Sequence, residues 1–323
     1  MSEHFVGRDR ELAHLMEQLT RATAGDGRRV SFIAGAAGAG KSSLLEALTS
    51  RAHAAHPDLA VATGVCNAST GIGDPYLPFL EILQQLTGQV DAKNVPTHAA
   101  SRLRRIGQLS ADLLVEYAPD LIGTIIPGSS LVVGVAKKAA EKAGLIDKMQ
   151  ARFQAAASGT SSVDATRIME SYTALIRQLA ARMPLVLIVD DLQWADAASC
   201  ALLFHLAQNL REARVLLVGG YRPNDVALGR NGERHPLTSV LNELKRYHGS
   251  LVLDLDATDA TQRRAFVDAI VDSEPNRLDE SFRAALLRHT NGHALFTVEL
   301  LRALQERGYL VANGEGHWVT SKD

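Results

Sequence analysis

Residues Gly35, Ala36, Ala37, Gly38, Ala39, Gly40, Lys41 and Ser42 follow directly on the strand-like run Val30-Ser31-Phe32-Ile33-Ala34. They lead into the helix-like Ser43-Leu44-Leu45-Glu46-Ala47-Leu48. This GxxxxGKS pattern constrains the chain more than any bulk property, because a strand must end, the backbone must curl and a helix must start within a few residues. Glycines let successive N–H groups point inward, and the positive N-terminal end of the following helix adds to the same field. The segment Gly35–Ser43 is therefore read as a cradle for the phosphates of a nucleoside triphosphate. Lys41 would reach the β- and γ-phosphates, and the Ser42 hydroxyl would ligate Mg²⁺.

At 323 residues the chain suits one large and one small domain. Its net charge of −2 gives no overall footprint for nucleic acid or an anionic membrane. Local basic groups such as Arg102, Arg104 and Arg105, or Arg263 and Arg264, read as solvated helix faces. Cys66 and Cys200 cannot build a disulfide framework or a zinc site and read as small core residues. The most membrane-like stretch, 121–136, is interrupted by Pro127 and is too short to span. The start Met-Ser-Glu-His has no basic or apolar leader region, so a cytoplasmic protein is expected.

Five runs read as strands: Val30–Ala34, Leu59–Cys66, Leu185–Asp190, Val215–Tyr221 and Leu251–Asp256. Helical patterns between them predict an α/β fold with a parallel sheet covered on both faces. Residues 185–189 are apolar at every position, as in a central strand. Helical periodicity at 78–86, 102–117 and 135–153 suggests a helical insertion at about 75–165. Beyond Asp256, two amphipathic helices are expected at 258–272 and 279–288, capped by Thr258 and Asp279, then a third at 296–305. A hairpin follows over 308–320. A hairpin with nothing to pack against is marginal, so the chain is expected to be the front part of a longer protein.

Hydrolysis needs metal control and an oriented water. Both are offered where the third strand ends in Asp190 and Asp191, a Walker B arrangement. Asp190 would hold Mg²⁺ through its water shell, and Asp191 would orient or deprotonate the attacking water. Arg222 follows the fourth strand, at the edge of the sheet where parallel strands present ligands, and would stabilise charge on the γ-phosphate. Asn67 and Trp194 read as a turn residue and a loop anchor.

The segment Phe5-Val6-Gly7-Arg8-Asp9-Arg10-Glu11-Leu12 precedes the glycine loop by about thirty residues. With GAAGAGKSSL, LVLIVDDLQWAD, GGYRP and TNGHALFTVELL in this order, the chain resembles the STAND class of AAA+-related signal-transduction ATPases, from about Phe5 to Val319. The resemblance implies a P-loop sheet of order 5-1-4-3-2 within residues 1–256, a helical lid at 257–305 and the start of a winged-helix domain at 306–323. It implies ATP or ADP with Mg²⁺ as cofactor, with adenine lying against Val6 and Gly7 and that segment fixed by Arg8. It also implies that Arg222 senses the γ-phosphate. Gly292, His293 and Ala294 stand where the family has a Gly-x-Pro element, so Ala294 replaces the proline that touches the nucleotide. ATP rather than GTP rests on this resemblance, since no guanine-reading Asn-Lys-x-Asp element is present.

The expected function is a slow ATPase switch, resting with ADP and self-associating as a homo-oligomer with ATP. Further domains would follow the C-terminal end. The alternatives are a DNA-associated AAA+ initiator or loader, disfavoured by the neutral charge, and a nucleotide-dependent scaffold with little turnover.

Overall fold

The computed structural model describes residues 6–25, 30–67, 75–86, 113, 162–229 and 233–321. Apart from Leu113, the helix expected at 102–117 lies outside the described residues, as do the helix expected at 135–153, the stretch at 121–136 and most of the insertion.

The apolar runs become strands because both of their faces can be covered. Helix α1 (Asp9–Thr23) leads to β1 (Val30–Ala34), and α2 (Lys41–Ala55) leads to β2 (Ala60–Val65). After α3 (Leu77–Leu86) come α4 (Ser162–Arg182) and β3 (Leu185–Asp190), then a short 3-10 turn at Leu192–Trp194 and α5 (Ala197–Asn209). Strand β4 (Val215–Tyr221), α6 (Pro223–Leu228), α7 (Pro236–His248) and β5 (Val252–Asp254) complete the sheet region. The order is β2-β3-β4-β1-β5, all parallel, the expected 5-1-4-3-2 read from the other edge.

Alternation along each strand feeds two cores. Ile33, Val186, Ile188, Leu216 and Val218 pack beneath α1 and α2, against Leu12, Leu15, Leu44 and Leu48. Phe32, Leu187, Val189 and Leu217 point the other way, against α3, α4, α5 and α7, where Phe79, Tyr172, Leu203 and Leu244 are buried. Strands β3 and β4 are buried at every position, as the unbroken apolar pattern of 185–189 predicts. At about 1.5–3 kcal/mol for each large aliphatic or aromatic side chain, these two layers dominate the fold's stability.

Strand β2 is an edge strand, and α3 lies against its outer side. Gln85 Oε1 accepts from Thr63 N at 2.9 Å, Gln85 Nε2 donates to Thr63 O, and Glu81 Oε2 accepts from Val65 N at 2.7 Å. The approach is close: a Cβ on Gly64 would lie 2.5 Å from the Pro78 carbonyl carbon.

The third core is formed by α8 (Ala260–Val271), α9 (Glu280–Thr290), α10 (Ala294–Glu306) and the hairpin β6 (Leu310–Ala312) and β7 (Trp318–Thr320). Two expectations are corrected here. Thr258 is not the cap of α8, because the helix starts at Ala260 and Thr258 lies in the preceding turn, its N–H donating to Asp256 O. Asp259 caps the helix, with its carboxylate 2.7 Å from Gln262 N and the Gln262 side chain returning to Asp259 N at 3.0 Å, a reciprocal capping box. Asp279 caps α9 as expected.

The second correction concerns the hairpin, which does have something to pack against. Leu310 and Trp318 join this core, Trp318 Nε1 donates to Glu274, and Trp318 exchanges backbone hydrogen bonds with Pro275 and Arg277. Arg264, read from sequence as part of a solvated helix face, is paired with Asp268 at 2.7 Å and with Glu280.

Candidate active site

The strand-to-helix reversal at residues 35–41 requires backbone that only glycine adopts readily. Gly38 and Gly40 lie at φ +75° and +93°, in the left-handed region, and Gly40 starts α2. The loop forms one wall of a cavity of about 520 Å³, a size that suits a nucleotide. Ala37, Gly38, Ala39, Gly40, Lys41, Ser42 and Ser43 line it from one side, with Asp191 and Arg222 at the end of the sheet. Val6, Arg8 and Ala294 line its other parts.

Other residues expected from sequence stand around this cavity. Gly35 precedes it, and Ala36 lines a neighbouring cleft that also contains Arg222. Gly7 and Gly292 face a separate cleft on the far side of Arg8 and Phe266. His293 sits at the start of α10, and its ring packs on Phe296 with centroids 4.4 Å apart.

Lys41 is 7 % exposed and folds back onto the loop, donating to Gly35 O at 2.9 Å and Ala36 O at 3.0 Å. Burial holds its ammonium below the usual lysine range, and Arg222 acts in the same direction, while Asp190, Asp191 and Asp256 oppose them. Ser42 Oγ donates to Asp190 Oδ2 at 3.1 Å, so the loop hydroxyl and the strand-end carboxylate already face one another. No three His, Cys, Asp or Glu side chains cluster as a ligand set among the described residues. Ser42 and Asp190 fit Mg²⁺, which keeps several waters and takes phosphate oxygens as further ligands.

Asp191 stands at φ +55°, a strained conformation for a non-glycine residue, and begins the 3-10 turn. The turn is tied down by Gln193, which the sequence reading passed over. Gln193 is 1 % exposed; its Nε2 donates to Asp191 Oδ1 at 2.7 Å and its Oε1 accepts from Arg222 N at 3.0 Å. One amide therefore joins the acid after β3 to the arginine after β4. Behind it, buried His235 accepts from Leu237 N at Nδ1, so its Nε2 carries the proton and donates to Gln193 O at 3.0 Å. The only sequence hint of Gln193 was a polar residue two places after the acid; His235 gave none beyond its position before a proline.

The Arg222 guanidinium lies 4.0 Å from Asp191 Oδ1 and 3.8 Å from Asp225 Oδ2, longer than direct hydrogen bonds, and its Nε has no hydrogen-bond partner among the described residues. Arg8 is buried and ties three parts of the chain together. It donates to Leu255 O at 3.1 Å and to Ala39 O at 3.4 Å, pairs with Glu11, and lies 5.4 Å over the Phe266 ring. The cavity's remaining wall, also missed from sequence, comes from Phe266, Ile270, Ser273, Leu295, Val298 and Arg302.

Residues 4–218 match the family model of the AAA ATPase domain. The chain belongs to that family. The sheet order and the glycine loop with Asp190 and Asp191 across from it are the AAA+ P-loop fold, and the domain is an ATPase. AAA ATPases bind ATP or ADP, typically with Mg²⁺. Among solved structures, the AAA ATPase domain is similar to the Orc1 protein of Aeropyrum pernix in complex with DNA, at 16% identity and a TM-score of 0.44, over 95% of this chain and 61% of that one. It is also similar to Cdc6p from Pyrobaculum aerophilum, at 14% identity and a TM-score of 0.46, over 93% and 62%. The chain thus spans about three fifths of the length of these two proteins. No curated protein sequence matches it.

Proposed function

We propose that this AAA ATPase domain is the nucleotide-binding part of a regulatory switch of the STAND class, quiet with ADP, self-associating with ATP and reset by slow hydrolysis. The observation that carries the reading is the seat of α10 on the phosphate loop. Leu295 N donates to Gly38 O at 3.1 Å, and a Cβ on Gly38 would lie 2.5 Å from Leu295 Cβ. A helical lid, residues 257–305, resting on the loop that receives phosphate responds to what the loop holds. A switch needs differential affinity of its two states for the two nucleotides, and tight binding alone shifts nothing.

The difference arises at the γ-phosphate. Lys41 exchanges its two loop carbonyls for phosphate oxygens, and Arg222 leaves its long contacts with Asp191 and Asp225 to meet the added charge. Asp191 then orients and deprotonates the attacking water, held in register with Arg222 by Gln193. Ser42, and Asp190 through water, would hold Mg²⁺, which would supply neutralisation of phosphate charge. Residues 306–323 begin a winged-helix domain in this reading, further domains follow, and the protein works in the cytoplasm.

Molar mass by light scattering tests the switch, at matched concentration with Mg²⁺ and either a slowly hydrolysed ATP analogue or ADP. A larger assembly only with the analogue supports it; equal masses refute self-association through these residues. A scaffold with little turnover predicts equal phosphate release from the parent chain and Asp191→Asn, whereas the switch predicts loss in the variant. A DNA-associated loader gains nothing from the charge of −2 or from Arg264 and Arg283, both engaged by carboxylates.

A further inference from the structure

Two helical stripes meet along the cavity. On α8 and just past its end, Phe266, Ile270 and Ser273 are spaced by four and three residues; on α10, Leu295, Val298 and Arg302 are spaced by three and four. Such spacings put each set on one helix face. Leu295 sits on Gly38, so the α10 stripe runs from the phosphate loop outward, and seven residues of helix put Arg302 roughly 10 Å further along; the hairpin that follows α10 bonds Pro275 and Arg277, just past Ser273. Apolar side chains line the middle of this path, and its far end is polar.

The chemistry of that end is directional. Ser273 Oγ donates its proton to Ile270 O at 2.7 Å, which leaves only lone pairs to offer a ligand. Arg302 has donors and no acceptor. Its one ion pair among the described residues, to Glu299 at 3.7 Å, joins side chains 65% and 55% exposed, and such a pair holds a guanidinium weakly.

We infer that Ser273 and Arg302 form a base-reading pair that selects a 6-aminopurine, adenine, rather than a 6-oxopurine. A nucleotide whose phosphates lie on the glycine loop presents its base last, at the far end of the cavity. Adenine offers the N7 acceptor beside its 6-amino donor, which matches Arg302 donating and Ser273 accepting. A 6-oxopurine puts an acceptor opposite the Ser273 lone pairs. The inference rests on the nucleotide-binding reading of the cavity.

Titration calorimetry of the whole chain with Mg²⁺ and ATP, ITP or inorganic tripolyphosphate tests it in the parent, Ser273→Ala and Arg302→Met. The parent should prefer ATP over ITP by about tenfold, a preference that Ser273→Ala should remove by weakening ATP. Arg302→Met should weaken ATP and ITP alike by about tenfold, with tripolyphosphate held to within about twofold in every variant. Melting curves show that each variant is folded.

No ATP preference in the parent, an unchanged ratio in Ser273→Ala, or unchanged ATP affinity in Arg302→Met overturns the inference. So does a loss for tripolyphosphate as large as that for ATP. If the parent binds neither ATP nor tripolyphosphate, the nucleotide reading itself has failed, a result distinct from all of these.

Discussion

Adding one methyl group to strand β4 should slow hydrolysis without touching any residue that meets the nucleotide. A Cβ on Gly219 would lie 2.6 Å from Leu192 Cδ1 and 2.7 Å from Phe32 Cδ1, where ordinary contact begins at 3.4 Å. The shortfalls are 3.4 − 2.6 = 0.8 Å and 3.4 − 2.7 = 0.7 Å. Leu192 and Phe32 are 1% and 0% exposed, so neither can yield into solvent. Phe32 is fixed within β1, and Leu192 belongs to the short turn that follows Asp191, so the turn is the part that gives.

Overpacking of this kind costs about 1–3 kcal/mol of stability. A displacement near 0.8 Å passed to the Asp191 carboxylate should lower kcat by roughly 10- to 100-fold. Steady-state phosphate release and denaturant melts read the two effects separately. Leu192→Val in the Gly219→Ala background makes room for the methyl and should recover part of both losses, a non-additivity expected of touching residues. Full turnover in Gly219→Ala, or no recovery in the double variant, would refute the argument that packing from β4 sets the position of Asp191.

Gln193→Leu removes the bridge between Asp191 and the Arg222 backbone while nearly keeping volume; kcat should fall about tenfold or more, with ADP affinity little changed in a fluorescent-nucleotide titration. Gly64→Ala drives a methyl into the Pro78 backbone and should cost at least about 1–3 kcal/mol in a urea melt, with α3 loosened from β2 in hydrogen exchange. Burial raises the Tyr172 hydroxyl and the Cys66 thiol above their ordinary values of 10.0 and 9.0 and pushes Cys200 up to about 12. The folded chain therefore keeps protons that the unfolded chain sheds. Stability should be intact below pH 9 and fall as pH rises past 9 and then 10, which urea midpoints at pH 7.5, 9 and 10.5 would read; a flat profile contradicts the burial of these groups.

The sheet was legible because local signals and long-range demands agree. Residues 185–189 are apolar throughout and end in two acids, and Val215–Tyr221 ends in Arg222, so pattern alone located the strand tips around the glycine loop. The far wall of the cavity was not legible. Phe266 and Ile270 look like any apolar stripe, and facing the phosphate loop is a property of how α8 and α10 dock, carried by Arg8 and the Leu295–Gly38 bond across long stretches of sequence. The capping box at Asp259 and Gln262 was written locally, as an acidic residue followed three places later by glutamine, and reading Thr258 as the cap missed it by one residue. The anchoring of Trp318 on residues 274–277 has no local signal.

The side-chain amide and carboxylate that α3 lends to β2 also decide how this molecule can meet others. An open sheet ordinarily ends in a row of vacant donors and acceptors onto which a foreign strand can be added. Here the outward amides of Thr63 and Val65 are already spoken for within the same chain. A second copy or an extended peptide therefore finds those two amides occupied. Assembly on that stretch of β2 then rests on shape and charge between side chains, which is reversible and open to control by a ligand, rather than on a continuous backbone ladder, which would not readily let go.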